Sequence, residues 1–246
     1  MRATASRLRA ACGVLGPAAF TAAWLVGMRH QAEYAVAHEH ISGLAAPDAE
    51  VPHVMTTGFV ALGACTIAFA AELEERLSAA GRRPGAGPTL MAASGIAMVA
   101  AGVFRRDRRS NFPAPDEVDG PQSWRNDLHD LAAVAAAGTG IGALLALGHR
   151  FRDDPAWRRF ARPAAAAAGG SAVLSAWFAR DVTRPGNGIV QRASVTIPLA
   201  FMARVAVQLL RAPAGAPDQR SASSGINSPA RSTSRAIAAT SSSIES

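Results

Sequence analysis

The residues best suited to chemistry in this sequence are histidines and carboxylates that lie between long apolar blocks. His38 and His40 form a His-x-His pair after the first block, and His129-Asp130 precedes the fourth. Imidazole and carboxylate groups from separate loops are typical ligands of catalytic zinc, which also needs one position for water. In an extended segment the two rings of His-x-His point to the same side. His38, His40, His129 and Asp130 are therefore the candidate metal site, with zinc as the candidate ion.

A second interpretation of the same residues needs no metal. Asp127 and Asp130 stand at the start of a predicted helix, where the helix dipole favours a carboxylate without any catalytic role. The histidines then lie in water at a membrane interface. The ligand set also lacks the strict spacing of zinc-binding motifs. Both interpretations are open, and the sequence assigns no catalytic residue.

The apolar residues are concentrated in blocks of roughly 16 to 22 residues that are almost free of charge, about the length with which a helix crosses a bilayer. Hydrophobic residues make up 49% of the chain. We therefore predict an all-α, polytopic membrane protein with a bundle of six transmembrane helices. The predicted spans are residues 10–28, 54–71, 89–104, 131–148, 163–179 and 189–210.

Two regions follow from this pattern. Residues 1–211 form the predicted transmembrane domain. Residues 212–246 contain Ser, Ala, Pro, Arg and Thr with few large apolar side chains. Such a segment buries too little apolar surface to offset its ordering entropy, so we predict a disordered cytoplasmic tail.

The positive charge is carried by arginine alone. The chain has a net charge of +7 and no lysine, which excludes a Schiff-base lysine, a Walker loop and a Ser-Lys dyad. Because the arginines flank apolar blocks, we expect contacts with membrane lipids and no nucleic-acid binding. Their distribution predicts a plasma-membrane protein with both termini in the cytoplasm.

An even number of spans places the first, third and fifth connections on one side of the membrane. We call the polar residues of these connections the polar cap, and we expect it on the extracytoplasmic face. Beyond the candidate metal ligands, the polar cap comprises Asp107, Asp127, Arg180, Asp181, Gln191 and Arg192.

Transport of a small molecule is a further hypothesis. Coupled transport needs charged residues near the bilayer midplane, whereas the predicted spans contain only Ser and Thr as interior polar residues. These side chains usually bond to their own helix backbone. Association with other membrane proteins is another hypothesis, through small-residue faces such as Gly138-x-x-x-Gly142.

Short motifs in the chain also resemble one protein family. They are Tyr34 followed by His38-x-His40-Ile41-Ser42-x-Leu44, the pair Gly58 and Gly63, Gly102-Val-Phe104 with Asp107, His129-Asp130, and Gly188-x-x-Gln191-Arg192. In this order the chain resembles the bacterial membrane family DUF998, a domain of unknown function. Arg105 and Gly43 depart from the family pattern, which has proline and aspartate there.

The resemblance implies a six-helix integral membrane protein without an established activity. We therefore expect a structural, interaction or lipid-associated role, and no enzyme. The alternatives are a membrane-embedded, metal-dependent hydrolase with a His/Asp site on the extracytoplasmic face, and a small-molecule transporter.

Overall fold

The computed structural model describes residues 2–78, 85–108 and 122–211. Within these ranges the chain is all-helical, without strands, as predicted. Its elements are α1 (Arg2–His30), a short 3₁₀ helix (Ile41–Ala45), α2 (Pro52–Ser78), α3 (Ala86–Val103), α4 (Trp124–Arg152), α5 (Arg158–Arg180) and α6 (Asn187–Arg211). The predicted tail at 212–246 lies outside the described residues.

At most of their ends the helices extend beyond the apolar blocks. α4 shows the reason. It begins at Trp124 because the side chain of Ser123 accepts a hydrogen bond from the backbone N–H of Asn126, a typical N-cap. The charged residues that follow continue the helix without being apolar, and hydropathy alone therefore misses this turn.

The six helices form an antiparallel ring in chain order. Each α-helix packs against the next, and α6 packs against α1. The closing contact places a Cβ added at Gly13 of α1 only 2.6 Å from the Cβ of Ala206 in α6. Both ends of this part of the chain consequently lie at one end of the bundle, which we call the terminal end. The first, third and fifth connections lie at the other end.

α2 and α3 approach each other closely at a pair of glycines. A Cβ added at Gly63 would lie 2.5 Å from the carbonyl oxygen of Gly95, and one added at Gly95 would lie 2.7 Å from that of Gly63. Only glycine allows two backbones to come this near. Gly138 has no atom within 4 Å of an added Cβ, and Gly142 meets only Leu90 at 3.4 Å. The Gly138-x-x-x-Gly142 face is thus not where the helices pack most closely.

Five of the helices are long and apolar enough to cross a membrane, namely α1 to α4 and α6. α5 has 23 residues, but it is rich in Ala and Gly and carries Arg at both ends. Small residues contribute little apolarity, so α5 falls outside this group. It packs between α4 and α6 as a full member of the ring.

The terminal end contains a buried carboxylate. Glu72 of α2 is 0% exposed and accepts hydrogen bonds from Ser6 at 2.6 Å, Arg9 at 3.0 Å and Arg76 at 2.8 Å. Arg9 also pairs with Glu75. Two cations and a hydroxyl therefore compensate the buried charge and tie α1 to α2.

Candidate functional site

The first connection folds over the beginning of α6, where three residues of the Gly188-x-x-Gln191-Arg192 motif hold it. Gln191 Oε1 accepts a 2.7 Å hydrogen bond from the backbone N–H of Ile41. Arg192 and Gly188 contact the backbone of residues 36–39. We call this arrangement the loop clamp. It joins residues about 150 positions apart in the chain.

Arg192 provides most of the hydrogen bonds of the loop clamp. Its Nη1 lies 2.9 Å from the carbonyl oxygens of Val36 and Glu39 and 2.8 Å from that of Gly188. Its Nη2 donates to the phenol oxygen of Tyr34 at 2.6 Å. The guanidinium also lies over the rings of Trp24 and Tyr34, at 5.5 and 5.6 Å. Carbonyl dipoles and aromatic faces therefore stabilise a buried cation.

Gly188 allows the loop to approach α6. A Cβ at this position would lie 2.6 Å from the carbonyl oxygen of Val36, 2.7 Å from that of Glu39 and 2.9 Å from that of Ala37. Those distances are too short for any side chain, and the obstructing atoms are backbone. The glycine of the motif is therefore explained by close packing, in the same way as its glutamine and arginine.

His40 joins the first, third and fifth connections. The ring is 3% exposed, its Nδ1 lies 3.2 Å from Nη1 of Arg106, and it also hydrogen-bonds to the backbone of Val182. Phe178 packs against it at 4.8 Å between ring centroids. Burial, followed by the charge of Arg106, lowers the pKa of His40 from 6.5 to about 4. The imidazole is therefore neutral at pH 7 and accepts a hydrogen bond from Arg106.

The other two candidate histidines have different partners. His38 is exposed, and its Nδ1 accepts a 3.0 Å hydrogen bond from the backbone N–H of Gly186. His129 is buried, and its Nδ1 lies 2.8 Å from the carbonyl oxygens of both Ala101 and Phe104. As a donor, His129 satisfies carbonyls that the last turn of α3 leaves without an intrahelical partner. His38 and His40 thus both contact the backbone of the fifth connection, whereas His129 contacts the end of α3.

Asp107 and Asn126 fix the start of α4. Asp107 accepts a 2.6 Å hydrogen bond from the backbone N–H of Ser123, and its own N–H donates to Asn126 Oδ1 at 3.2 Å. Asn126 Nδ2 in turn donates to Asp130 Oδ2 at 3.0 Å. Burial lowers the pKa of Arg106, and the charges of Asp130 and Asp107 oppose that shift. The structure therefore brings His40, Arg106 and these two carboxylates into one neighbourhood.

The remaining residues predicted for the polar cap lie at the surface. Asp127 is exposed in the first turn of α4. Asp181 accepts hydrogen bonds from the backbone N–H and hydroxyl of Thr183, at 3.0 and 2.7 Å, and its carbonyl accepts one from Asn187. Arg180 is the exposed last residue of α5. Asp181 and Asn187 shape a turn, whereas Asp127 and Arg180 contribute charge at the helix ends.

In the described part of the chain, no three His, Cys, Asp or Glu side chains are grouped so that they could hold a metal ion. His38, His40 and His129 instead each place Nδ1 on a different protein partner. No observation of this structure favours the zinc site, and it stays a prediction from the sequence.

The polar side chains inside the helices contribute to packing. Thr66 and Thr139 donate to carbonyls one turn earlier, at 2.8 and 2.6 Å, as predicted for residues bonded to their own helix. Ser94 donates instead to Ala136 of α4 at 2.8 Å, and Ser171 to Ser194 of α6 at 3.1 Å. These two serines therefore hold neighbouring helices together, a role that their sequence context did not indicate.

Arg106, Ser123 and Asn126 are parts of this region that sequence reasoning missed. Arg106 lies in a run of arginines that indicates membrane topology, and the sequence gives no indication that its side chain is buried. The sequence does indicate a role for Ser123, because a serine directly before a helical segment is a common N-cap. Asn126 could be found only from the structure, since its partners lie on both sides of the third connection.

Together, the helical ring, the apolar spans and the loop clamp define an integral membrane protein of the all-α class. The chain matches the family described as Protein of unknown function (DUF998) over residues 14–208 and belongs to that family. No curated protein and no solved structure matches it. The family assignment confirms the resemblance seen in the sequence motifs.

Proposed function

We propose that this protein is a non-catalytic membrane bundle that works by association with lipids and with other membrane proteins. We place it in the plasma membrane with both termini in the cytoplasm. The arginines in the last turn of α4 and the first turns of α5, at the terminal end, support this orientation under the positive-inside rule. Arg105, Arg106 and Arg108 beyond α3 oppose it, and the proposal rests on the sum over all connections.

The loop clamp is the observation that carries the non-catalytic role. Its glutamine and arginine, which the sequence placed in the polar cap, contact backbone atoms of the chain's own first connection. The glycine of the motif is explained by the close approach of the first connection to α6. Residues with these contacts stabilise the fold, whereas catalytic residues typically lower stability because they are kept for a ligand.

Thermal unfolding in detergent tests this difference. We expect Arg192→Met to destabilise the protein by at least about 2 kcal/mol, because it leaves three carbonyl acceptors without their charged donor. Arg29→Met is the matched control, since Arg29 is exposed at the end of α1. An Arg192→Met protein as stable as the control, or more stable, would overturn the proposal.

Metal analysis separates the proposal from the hydrolase hypothesis. We expect wild-type protein, His38→Ala and His129→Ala to contain the same substoichiometric amount of zinc after purification. Stoichiometric zinc in the wild type, lost from both variants, would instead establish a metal site and replace the proposed function.

A further inference from the structure

Two arginines from different helices share one aromatic ring at the terminal end. The guanidinium carbon of Arg159 in α5 lies 5.1 Å from the ring centroid of Phe160, and that of Arg204 in α6 lies 5.5 Å from the same centroid. Both arginine side chains are exposed, while Phe160 is buried. Two cations from neighbouring helices therefore contact one ring at the bundle surface.

In the described part of the chain, no carboxylate neutralises this pair. Neither Arg159 nor Arg204 forms an ion pair there, in contrast to Arg9 and Arg76, which pair with Glu72. The acids nearest in sequence are Asp153 and Asp154, and Asp154 accepts a hydrogen bond from the backbone N–H of Ala156. Two like charges held together without a counter-ion repel each other, and this repulsion is relieved when an anion binds between them.

The surroundings favour a lipid as the source of that anion. Arg162, one turn after Arg159, is also exposed. Arg204 lies within α6, a candidate membrane span, so its long side chain reaches the interface along an apolar surface. Val173, further along α5, is 68% exposed and marks an apolar outer surface. A ligand with a phosphate and acyl chains matches both the cations and the apolar surface.

We propose that Arg159, Arg162 and Arg204 bind the phosphate of an anionic phospholipid, with Phe160 positioning two of the three guanidinium groups. Planar guanidinium groups suit phosphate oxygens because they donate two parallel hydrogen bonds. This inference rests on the proposed lipid association and deepens it by naming the ligand class and the residues. It also agrees with the proposed orientation, in which the terminal end faces the cytoplasmic and more anionic leaflet.

Lipid retention measured by native mass spectrometry tests the site. The full chain is purified in detergent, mixed with equal amounts of phosphatidylglycerol and phosphatidylcholine, and the bound lipids are counted. We expect the wild type to prefer phosphatidylglycerol and each Arg→Gln change to weaken that preference about fivefold, from the contribution of one basic residue near an anionic surface. Arg159→Gln with Arg204→Gln is then expected to weaken it about 25-fold.

The matched control is Arg125→Gln with Arg184→Gln. Each of these arginines also lies over an aromatic ring, Trp124 at 5.0 Å and Trp177 at 5.2 Å, but at the opposite end of the bundle. The control is expected to keep the wild-type preference. An equal loss in both double variants, or no loss in either, would overturn this site and leave the general lipid association intact.

Two further outcomes complete the test. A wild type without any preference for phosphatidylglycerol would overturn the inference, while the stability of Arg192→Met would still decide the proposed function by itself. Inorganic phosphate is expected not to displace the bound lipid. Displacement by inorganic phosphate would assign the three arginines to a free anion instead and overturn the lipid assignment.

Discussion

Nη2 of Arg192 donates a 2.6 Å hydrogen bond to the phenol oxygen of Tyr34, which lies 158 positions earlier in the chain. The phenol in turn donates to the carbonyl oxygen of His40 at 3.0 Å. The direction of both hydrogen bonds is fixed, because a guanidinium can only donate and a carbonyl can only accept. Through these two hydrogen bonds, Tyr34 connects α6 to the loop segment that carries His40.

Removing the hydroxyl of Tyr34 tests this relay. Tyr34→Phe keeps the ring under Arg192 but deletes both hydrogen bonds, and we expect a loss of about 1–3 kcal/mol in unfolding free energy. The measurement is a double-mutant cycle with Arg192→Met, in which the two losses should be clearly less than additive. Additive losses would show that the two side chains stabilise the fold independently.

Acid should weaken the polar cap through His40. Its pKa is about 4 in the folded protein against an ordinary value of 6.5, so between these values the unfolded chain binds a proton that the folded chain does not. Stability from this group is therefore complete above about pH 6.5, falls as the pH decreases and is lost below about pH 4. The full change is about 3 kcal/mol.

The pH dependence is measured by unfolding wild type and His40→Gln between these pH values. The variant should be less stable at neutral pH and should show a flatter profile, because no proton uptake at residue 40 accompanies its unfolding. His53→Gln, an exposed position on α2, serves as the control and should keep the wild-type slope. Identical slopes for wild type and His40→Gln would contradict the assignment.

The glycine contact between α2 and α3 predicts opposite effects for two similar substitutions. Gly63→Ala places a methyl group 2.5 Å from the carbonyl oxygen of Gly95, and we expect a loss of about 1–3 kcal/mol as the helices are forced apart. Gly138→Ala meets no atom within 4 Å and should gain up to about 1 kcal/mol from helix propensity. Equal effects on the melting temperature would argue against the close approach.

The buried carboxylate predicts that α1 depends on α2 for its position. We expect Glu72→Gln to cost about 2–3 kcal/mol, because it removes the acceptor of Arg9 and Arg76. Those two side chains are 35% and 30% exposed, so water compensates part of the loss. Glu74→Gln is the control, since its hydrogen bond in the described part of the chain comes from Ser78 of its own helix. Similar unfolding curves for the two variants would contradict the proposed role of Glu72.

The helices could be predicted from the sequence because a charge-free apolar block of sufficient length has few other structures in a membrane. Their ends could not, since the first turn of α4 and the last turns of α2 are polar and depend on caps and ion pairs. The faces through which the helices pack against each other could not be predicted either. Gly138-x-x-x-Gly142 has the better packing motif, yet Gly63 and Gly95 meet, because register between helices depends on three-dimensional packing.

The polar cap, too, could be predicted from the sequence only in part. Chain direction placed the first, third and fifth connections at one end, and hydrogen bonds from Arg106 to His40 and from Gly186 to His38 join them there. Residue type suggested chemistry for His129, but its ring lies against the carbonyls that end α3. Burial and partner choice distinguish a ligand from a structural histidine, and neither quantity is visible in a single sequence.

The clamp also orders events during synthesis of the protein. A ribosome releases the first connection long before α6. Arg192 can therefore donate its hydrogen bonds to Tyr34, Val36 and Glu39 only after α6 has been synthesised. Until then, α1 also lacks the neighbour that closes the ring. In a nascent chain that stops before α6, the polar groups of the first connection would lack their hydrogen-bond donor, and the face of α1 that packs on α6 would be uncovered. Such a chain would therefore be a target for quality control. Synthesis of α6 is what fixes the position of α1.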